Sequence, residues 1–252
     1  MPRKIVVCAD DDSLILRATN LISQKDLGVE CIAVNAEGGL CEQNVEECKR
    51  ADAVLVFCCN RQDEKRIAAT LLNCGLRLYA QVKMYADRNL IAVSNAYCEI
   101  SKRESGFRNN STFGREAFDT ISCSELEIER VARIAYELAE KERKGLLLVD
   151  RADRLETSKL WRKIVADLNE DYPSVAVDAK LCQDAVVNFD GIRNCVVLSS
   201  NMIDAILDAL ASKTCPFVGA LLGDTAQGVY IASEEKDLQK ACEFMFENSF
   251  CI

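Results

Sequence analysis

The 252-residue sequence contains no histidine. That removes the side chain most often used as a general base near neutral pH. It also narrows any zinc site to thiolate or carboxylate ligands. No two cysteines form a C-x-x-C pair. Cys58 and Cys59 are adjacent, a poor geometry for sharing one tetrahedral metal. No apolar run approaches the ~18 residues of a membrane-spanning helix, and no secretory leader pattern opens the sequence. Lys and Arg number 31 against 40 Asp and Glu, a net charge of −9. The clustered positive excess of a nucleic-acid binder is therefore missing. The expectation is a cytoplasmic protein that binds neither membranes nor nucleic acid.

What is present reads as an ordinary globular chain, with 49% hydrophobic and 28% charged residues. Its length suffices for one large domain or two small ones. Fourteen cysteines is a high count. Many sit in apolar runs, among them Cys8, Cys31, Cys58 and Cys195, and are expected to be reduced, buried small hydrophobes. With no histidine to activate one, a cysteine nucleophile is not expected.

Short apolar runs alternate with helical patterns along the chain, which predicts parallel βαβ units and an α/β fold. Strands are expected over residues 4–9, 29–34, 53–58, 76–84, 89–93, 146–149, 175–181, 195–198, 217–222 and 229–232. Helices are expected over 14–23, 42–50, 61–74, 124–144, 157–169, 203–212 and 235–246. Asp12 or Ser13 is a candidate N-cap for the first helix, Gly75 a stop for the third and Gly145 for the fourth. The polar stretch 102–115, KRESGFRNNSTFGR, reads as a loop or projecting arm. The three carboxylates Asp10, Asp11 and Asp12 read as a solvated, helix-capping turn rather than a metal site.

The most distinctive stretch is 149–162, VDRADRLETSKLWR. With FGREAFDT at 113–120, IERVARIAYELA at 128–139, DYPSVAV at 171–177 and LSSNMIDAILDALAS at 198–212, it resembles the isopropylmalate/isocitrate dehydrogenases in order and spacing. KIVV, CKRADAVLVF and LRLYAQVK resemble the family's N-terminal part more weakly. The resemblance implies two α/β domains. The first is built from both chain ends, 1–95 with 213–252; the second, 96–212, carries an arm and dimer-forming helices. It also implies oxidation and decarboxylation of a 2-hydroxy acid with NAD or NADP and a divalent metal.

Matched residue by residue, much of that chemistry is absent. Gln81 stands in LYAQVK, where the family's LRPVK supplies a substrate-binding arginine. Arg103 matches an arginine of the family's VRE motif, so one carboxylate-binding position survives. Thr112 occupies the position of the family's catalytic tyrosine, and Arg151 that of its catalytic lysine. Arginine keeps the charge but cannot give up its proton, so it cannot serve as a base. The family's metal-binding aspartates fall on Ala205 and Ala209 in an ungapped match. Asp204 and Asp208 lie one residue earlier and keep the i, i+4 spacing that places both on one helix face. Asp184 falls one residue from the third ligand position, Gln183. These three are the candidate ligands for Mg or Mn. The family's glycine-rich first turn is ADDDSLI here, and its long adenosine-wrapping loop after 229–230 is missing, so NAD(P) binding is expected to be lost. GDTAQG at 223–228 matches the turn before that loop and reads as a plain turn more readily than as a phosphate cradle.

The expected function is that of a non-catalytic homologue, dimeric with itself or with a catalytic paralogue. It would be regulatory, or would bind a small carboxylate at Arg103 and Arg151. The alternatives are a divergent metal-dependent enzyme acting on a 2-hydroxy acid, and a purely structural interaction protein.

Overall fold

The computed structural model describes residues 3–25, 28–97, 100–211, 217–223, 227–232 and 234–249; the side chains of 61, 100–104, 202, 208, 217 and 249 lie outside that description. The chain divides into two units, residues 1–91 with 211–252, and residues 92–210.

The first unit holds β1 (Arg3–Ala9), α1 (Asp12–Lys25), β2 (Val29–Asn35), α2 (Glu42–Arg50), β3 (Ala53–Phe57), α3 (Arg61–Asn73) and β4 (Leu78–Tyr85). The returning chain adds β11 (Phe217–Gly223), β12 (Gly228–Ala232) and α8 (Glu235–Ser249). Its strand order is β2-β1-β3-β12-β11-β4. β2, β1, β3 and β12 run parallel, and β11 is antiparallel to both β12 and β4. Strands β1 and β3 are continuous apolar runs because helices cover both sheet faces. From Ile5 to Ala9 every residue is fully buried. Helix α8 packs on β12, β11 and β3 and meets α1, while α2 and α3 pack together against β1, β3 and β12.

In the second unit, β5 (Leu90–Asn95) neighbours β10 (Cys195–Ser199), followed by β8 (Gly145–Asp150) and the edge strand β9 (Val177–Leu181). β10, β8 and β9 are parallel. Helices α4 (Glu125–Lys141), α5 (Glu156–Leu168), α6 (Cys182–Val187) and α7 (Asn201–Ala211) complete it, with the ribbon β6 (Ile100–Asn110) and β7 (Gly114–Ile121).

Helix α4 has the strongest local signal. Ser124 accepts the Glu127 N–H at 3.3 Å, and the Glu127 carboxylate accepts the Ser124 N–H at 2.7 Å, a reciprocal cap. Ile128, Val131, Ala135 and Leu138 recur at helical spacing and are buried. Gly145 does not end this helix; it opens β8. The reversal is made by Arg143 at φ 52°, with the Lys144 N–H on the Ala139 carbonyl at 2.8 Å and the Arg143 N–H on Glu140 at 3.1 Å. The first helix also starts earlier than expected. Asp11, not Asp12 or Ser13, caps it: its carboxylate accepts the Ser13 N–H at 2.7 Å and its carbonyl accepts the Leu14 N–H at 3.1 Å.

The stretch expected as a loop or arm is an antiparallel ribbon. Asn110 holds the turn by accepting the N–H groups of Thr112 and Phe113 at 2.9 and 3.2 Å. Gly114 takes the left-handed conformation at φ 82°. Across the strands Arg108 pairs with Glu116 at 2.8 Å, and the Arg115 guanidinium lies 4.2 Å over the Phe107 ring. Cross-strand pairs rather than a buried face hold this element, so it shows no apolar alternation in sequence. Helix α6, with six residues, was not anticipated either.

Ser124→Ala removes one half of the α4 cap. It is expected to lower unfolding free energy by about 1 kcal/mol, measured as a lower urea midpoint with an unchanged slope.

Candidate functional site

In open α/β sheets ligands bind beyond the C-terminal ends of parallel strands, where helix N-termini offer N–H groups to anions. In the first unit those ends belong to β1 and β3. Asp10 follows β1 and turns both carboxylate oxygens to the next strand's loop: Oδ1 accepts the Cys59 N–H at 3.0 Å and Oδ2 the Asn60 N–H at 2.8 Å. Asn60 in turn caps α3 by accepting the Gln62 N–H at 2.9 Å. Asp11 caps α1, and Asp12 accepts from the Asn35 amide at 3.2 Å. The first turn of α3 adds the buried acids Asp63 and Glu64. The N–H groups of Ser13, Cys59, Asn60 and Gln62 at this edge are thus bound by the chain's own side chains, among several carboxylates.

Cys58 reports that potential. Its thiol is pushed up to about 12, first by burial and then by the charges of Asp10, Glu64 and Asp63.

The outer residues of the GDTAQG turn have packing roles; Asp224, Thr225 and Ala226 lie outside the described residues. A Cβ on Gly223 would come within 2.1 Å of the Arg77 carbonyl oxygen, and one on Gly228 within 2.9 Å of the Tyr230 ring. The Gln227 amide donates to the carbonyls of Cys48, Lys49 and Ala51 at 3.2, 3.1 and 2.7 Å, closing the C-terminal end of α2. Two residues separate β12 from α8.

In the second unit the distinctive stretch 149–162 follows the C-terminal end of β8. Asp150 is buried, and its carboxylate takes Arg162 at both oxygens, Nε at 2.5 Å and Nη2 at 3.0 Å. Oδ1 also accepts the Ala152 N–H at 3.0 Å. The buried Ser158 hydroxyl accepts the Arg151 N–H at 3.2 Å. These contacts join strand, turn and α5 into one rigid corner. Arg151 itself turns to Asp153, with Nε at 3.1 Å and Nη2 at 3.4 Å, and this pairing raises its pKa further. It holds a fixed positive charge and cannot accept a proton.

The other candidates have separate neighbours. Asp184 is exposed on α6, whose first residue, Cys182, is within electrostatic reach of Arg151. Asp204 is 4% exposed on α7, on the inward face with Ile203 and Leu207, while Ala205 and Ala209 are exposed. The side chains of Asp208 and Arg103 lie outside the described residues; Arg103 falls in the part of β6 where its register with β7 shifts. Thr112 is exposed in the ribbon turn. Among the described residues no three His, Cys, Asp or Glu side chains gather to hold a metal, and no helix is long and apolar enough to cross a membrane. Sequence reasoning missed the Asp150–Arg162 pair, the Asp10 contacts and Gln227; an acid closing an apolar strand was the available signal for Asp150.

A family model described as isocitrate/isopropylmalate dehydrogenase matches residues 84–223, more than half of the chain. The chain belongs to this family. It is 29% identical over 244 residues to the 3-isopropylmalate dehydrogenase of Prochlorococcus marinus, covering 84% of this chain and 67% of that enzyme. The 3-isopropylmalate dehydrogenase of Novosphingobium aromaticivorans is 34% identical over 140 residues, 53% of this chain and 38% of that enzyme. This family member therefore matches only part of either relative's length. The apo β-decarboxylating dehydrogenase of Thermococcus kodakarensis superposes with a TM-score of 0.71 at 17% identity, over 98% of this chain and 83% of that one, a likeness of fold.

The raised Cys58 thiol has a sign-defined consequence. Folding favours its neutral form, so this contribution to stability is complete below pH 9 and lost as pH rises toward about 12. Cys58→Ala is expected to flatten the fall of stability with pH in that window, read from denaturation curves at successive pH values.

Proposed function

We propose that this chain is a non-catalytic member of the family, acting as a regulatory or small-carboxylate-binding subunit paired with a copy of itself or with a catalytic paralogue. The observation that carries the reading is the Asp10 carboxylate bound to the Cys59 and Asn60 amides, beside Asp11 and Asp12. An incoming phosphate would have to displace one anion while facing several others. The two-residue step from β12 to α8 leaves no chain for an adenosine-wrapping loop. Arg151 and Thr112, at the family's lysine and tyrosine positions, supply neither a base nor a phenol. What Arg151 retains is a fixed cation, suited to holding a carboxylate. Pairing is supported by the β6–β7 ribbon, which leaves Phe107 and Phe118 67% and 39% exposed, and Phe113 in its turn 81% exposed.

One observation favours a second reading, a divergent metal-dependent enzyme. Asp204 is kept buried on α7 at i, i+4 from Asp208.

Thermal-shift measurements with NAD, NADP, Mg, Mn and 3-isopropylmalate separate the readings. No shift with NAD or NADP is expected, and a clear one would overturn the proposal. A shift with Mn that is lost in Asp204→Ala would favour the metal-dependent enzyme. Arg151→Lys restores the family's residue at one position only, and is expected to form no NADH or NADPH from 3-isopropylmalate. Phe107→Ser with Phe118→Ser is expected to shift a dimer toward monomer in sedimentation.

A further inference from the structure

A cleft of about 310 Å³ lies in the second unit beside Gly145, Leu146 and Leu147 of β8, along β9, and against Cys195 at the start of β10. The segment from Gly191 to Arg193 forms its far wall. The register places Cys195 opposite Gly145 and Leu146 opposite Val177, so these walls are set by strand pairing. The chain enters β8 and β10 here. Arg151, Asp184 and Asp204 are not among its lining residues.

Its charge contrasts with that of the chain as a whole. Lys180 and Arg193 line it. Lys144, directly before β8, has a side chain only 6% exposed, with the half-exposed Glu142 at 4.0 Å. Lys144 and Lys180 both act on the Cys195 thiol, pulling it down against the larger upward push of burial. The acid in the lining, Asp178, accepts the Ala179 N–H at 2.8 Å on its own strand. Arg193 is anchored by its Nε on the Asp190 carbonyl at 2.9 Å. Between these groups the surface is aliphatic, from Leu146, Val177 and Ile192. The volume is at the small end for a ligand pocket, roughly 300 Å³ and upward. A cationic rim over an aliphatic wall matches a short organic acid, whose charge and body each find a complement.

We infer that this cleft binds a short aliphatic carboxylate, with Lys180 and Arg193 as its counter-charge and Leu146, Val177 and Ile192 as its apolar wall.

Cys195 lets the inference be tested by alkylation of the whole protein with iodoacetate, itself a small carboxylate, or with neutral iodoacetamide, followed by mass spectrometry. The same thiolate attacks both reagents and displaces iodide from each, so their rate ratio at Cys195 cancels its pKa. The ratio is expected to fall about tenfold in Lys180→Glu with Arg193→Glu, the size of effect a cationic cleft exerts on an arriving anion. The exposed Cys41 serves as an internal reference whose ratio stays unchanged. 3-Methylbutanoate is expected to slow Cys195 alkylation by both reagents, and 3-methylbutanol to leave it unaffected. An unchanged ratio in the double variant would overturn the inference. So would equal protection by acid and alcohol, or no modification of Cys195 while Cys41 reacts.

Discussion

The Asp10 carboxylate spans the ends of β1 and β3 by accepting two successive N–H groups, those of Cys59 and Asn60. Charge-assisted bonds of this kind are stronger than neutral ones. They fix the turn that leads into α3, where Asn60 then caps the helix. The same bonds place a negative charge where an α/β sheet would otherwise receive an anion. One interaction therefore ties the β1 and β3 ends together and, under the proposed function, opposes a phosphate-bearing cofactor there. Asp11 and Asp12 extend the effect without competing for the same amides.

In the second unit an acid at the end of a strand again joins separate elements. Asp150 and Arg162 form a two-pronged pair at the end of β8. Such a pair, once made with a buried acid, is costly to break from one side. It keeps the 149–162 corner rigid, and Arg151 stands on that corner beside Asp153. A lysine here could exchange a proton when desolvated; a guanidinium beside a carboxylate cannot. The corner thus carries a residue that cannot act as a base.

Most helices and strands were legible in the sequence, because apolar runs and helical spacing are local signals. Residues 42–50 and 53–58 differ from α2 and β3 by one residue at most. The family was legible in the motifs of the second half, where the matched region 84–223 lies. The ribbon was not: Arg108 and Glu116 pair across a turn and bury no face, so no period-2 pattern marks them. The end of α4 was misplaced because Arg143 takes a left-handed conformation usually left to glycine. Asp10 could be seen only as one of three acids, since its partners are backbone amides 49 and 50 positions away, which carry no side-chain signature. Gln227 was hidden for the same reason, with its carbonyl partners on α2 and just beyond it.

The proposed function turns on whether the β1–β3 edge rejects NAD(P). Calorimetric titration of the protein with NADH and NADPH tests it most directly. No saturable heat is expected up to ligand concentrations of about 1 mM, the regime in which weak binding of some 4 kcal/mol would appear. Saturable one-to-one binding in the micromolar range would contradict it.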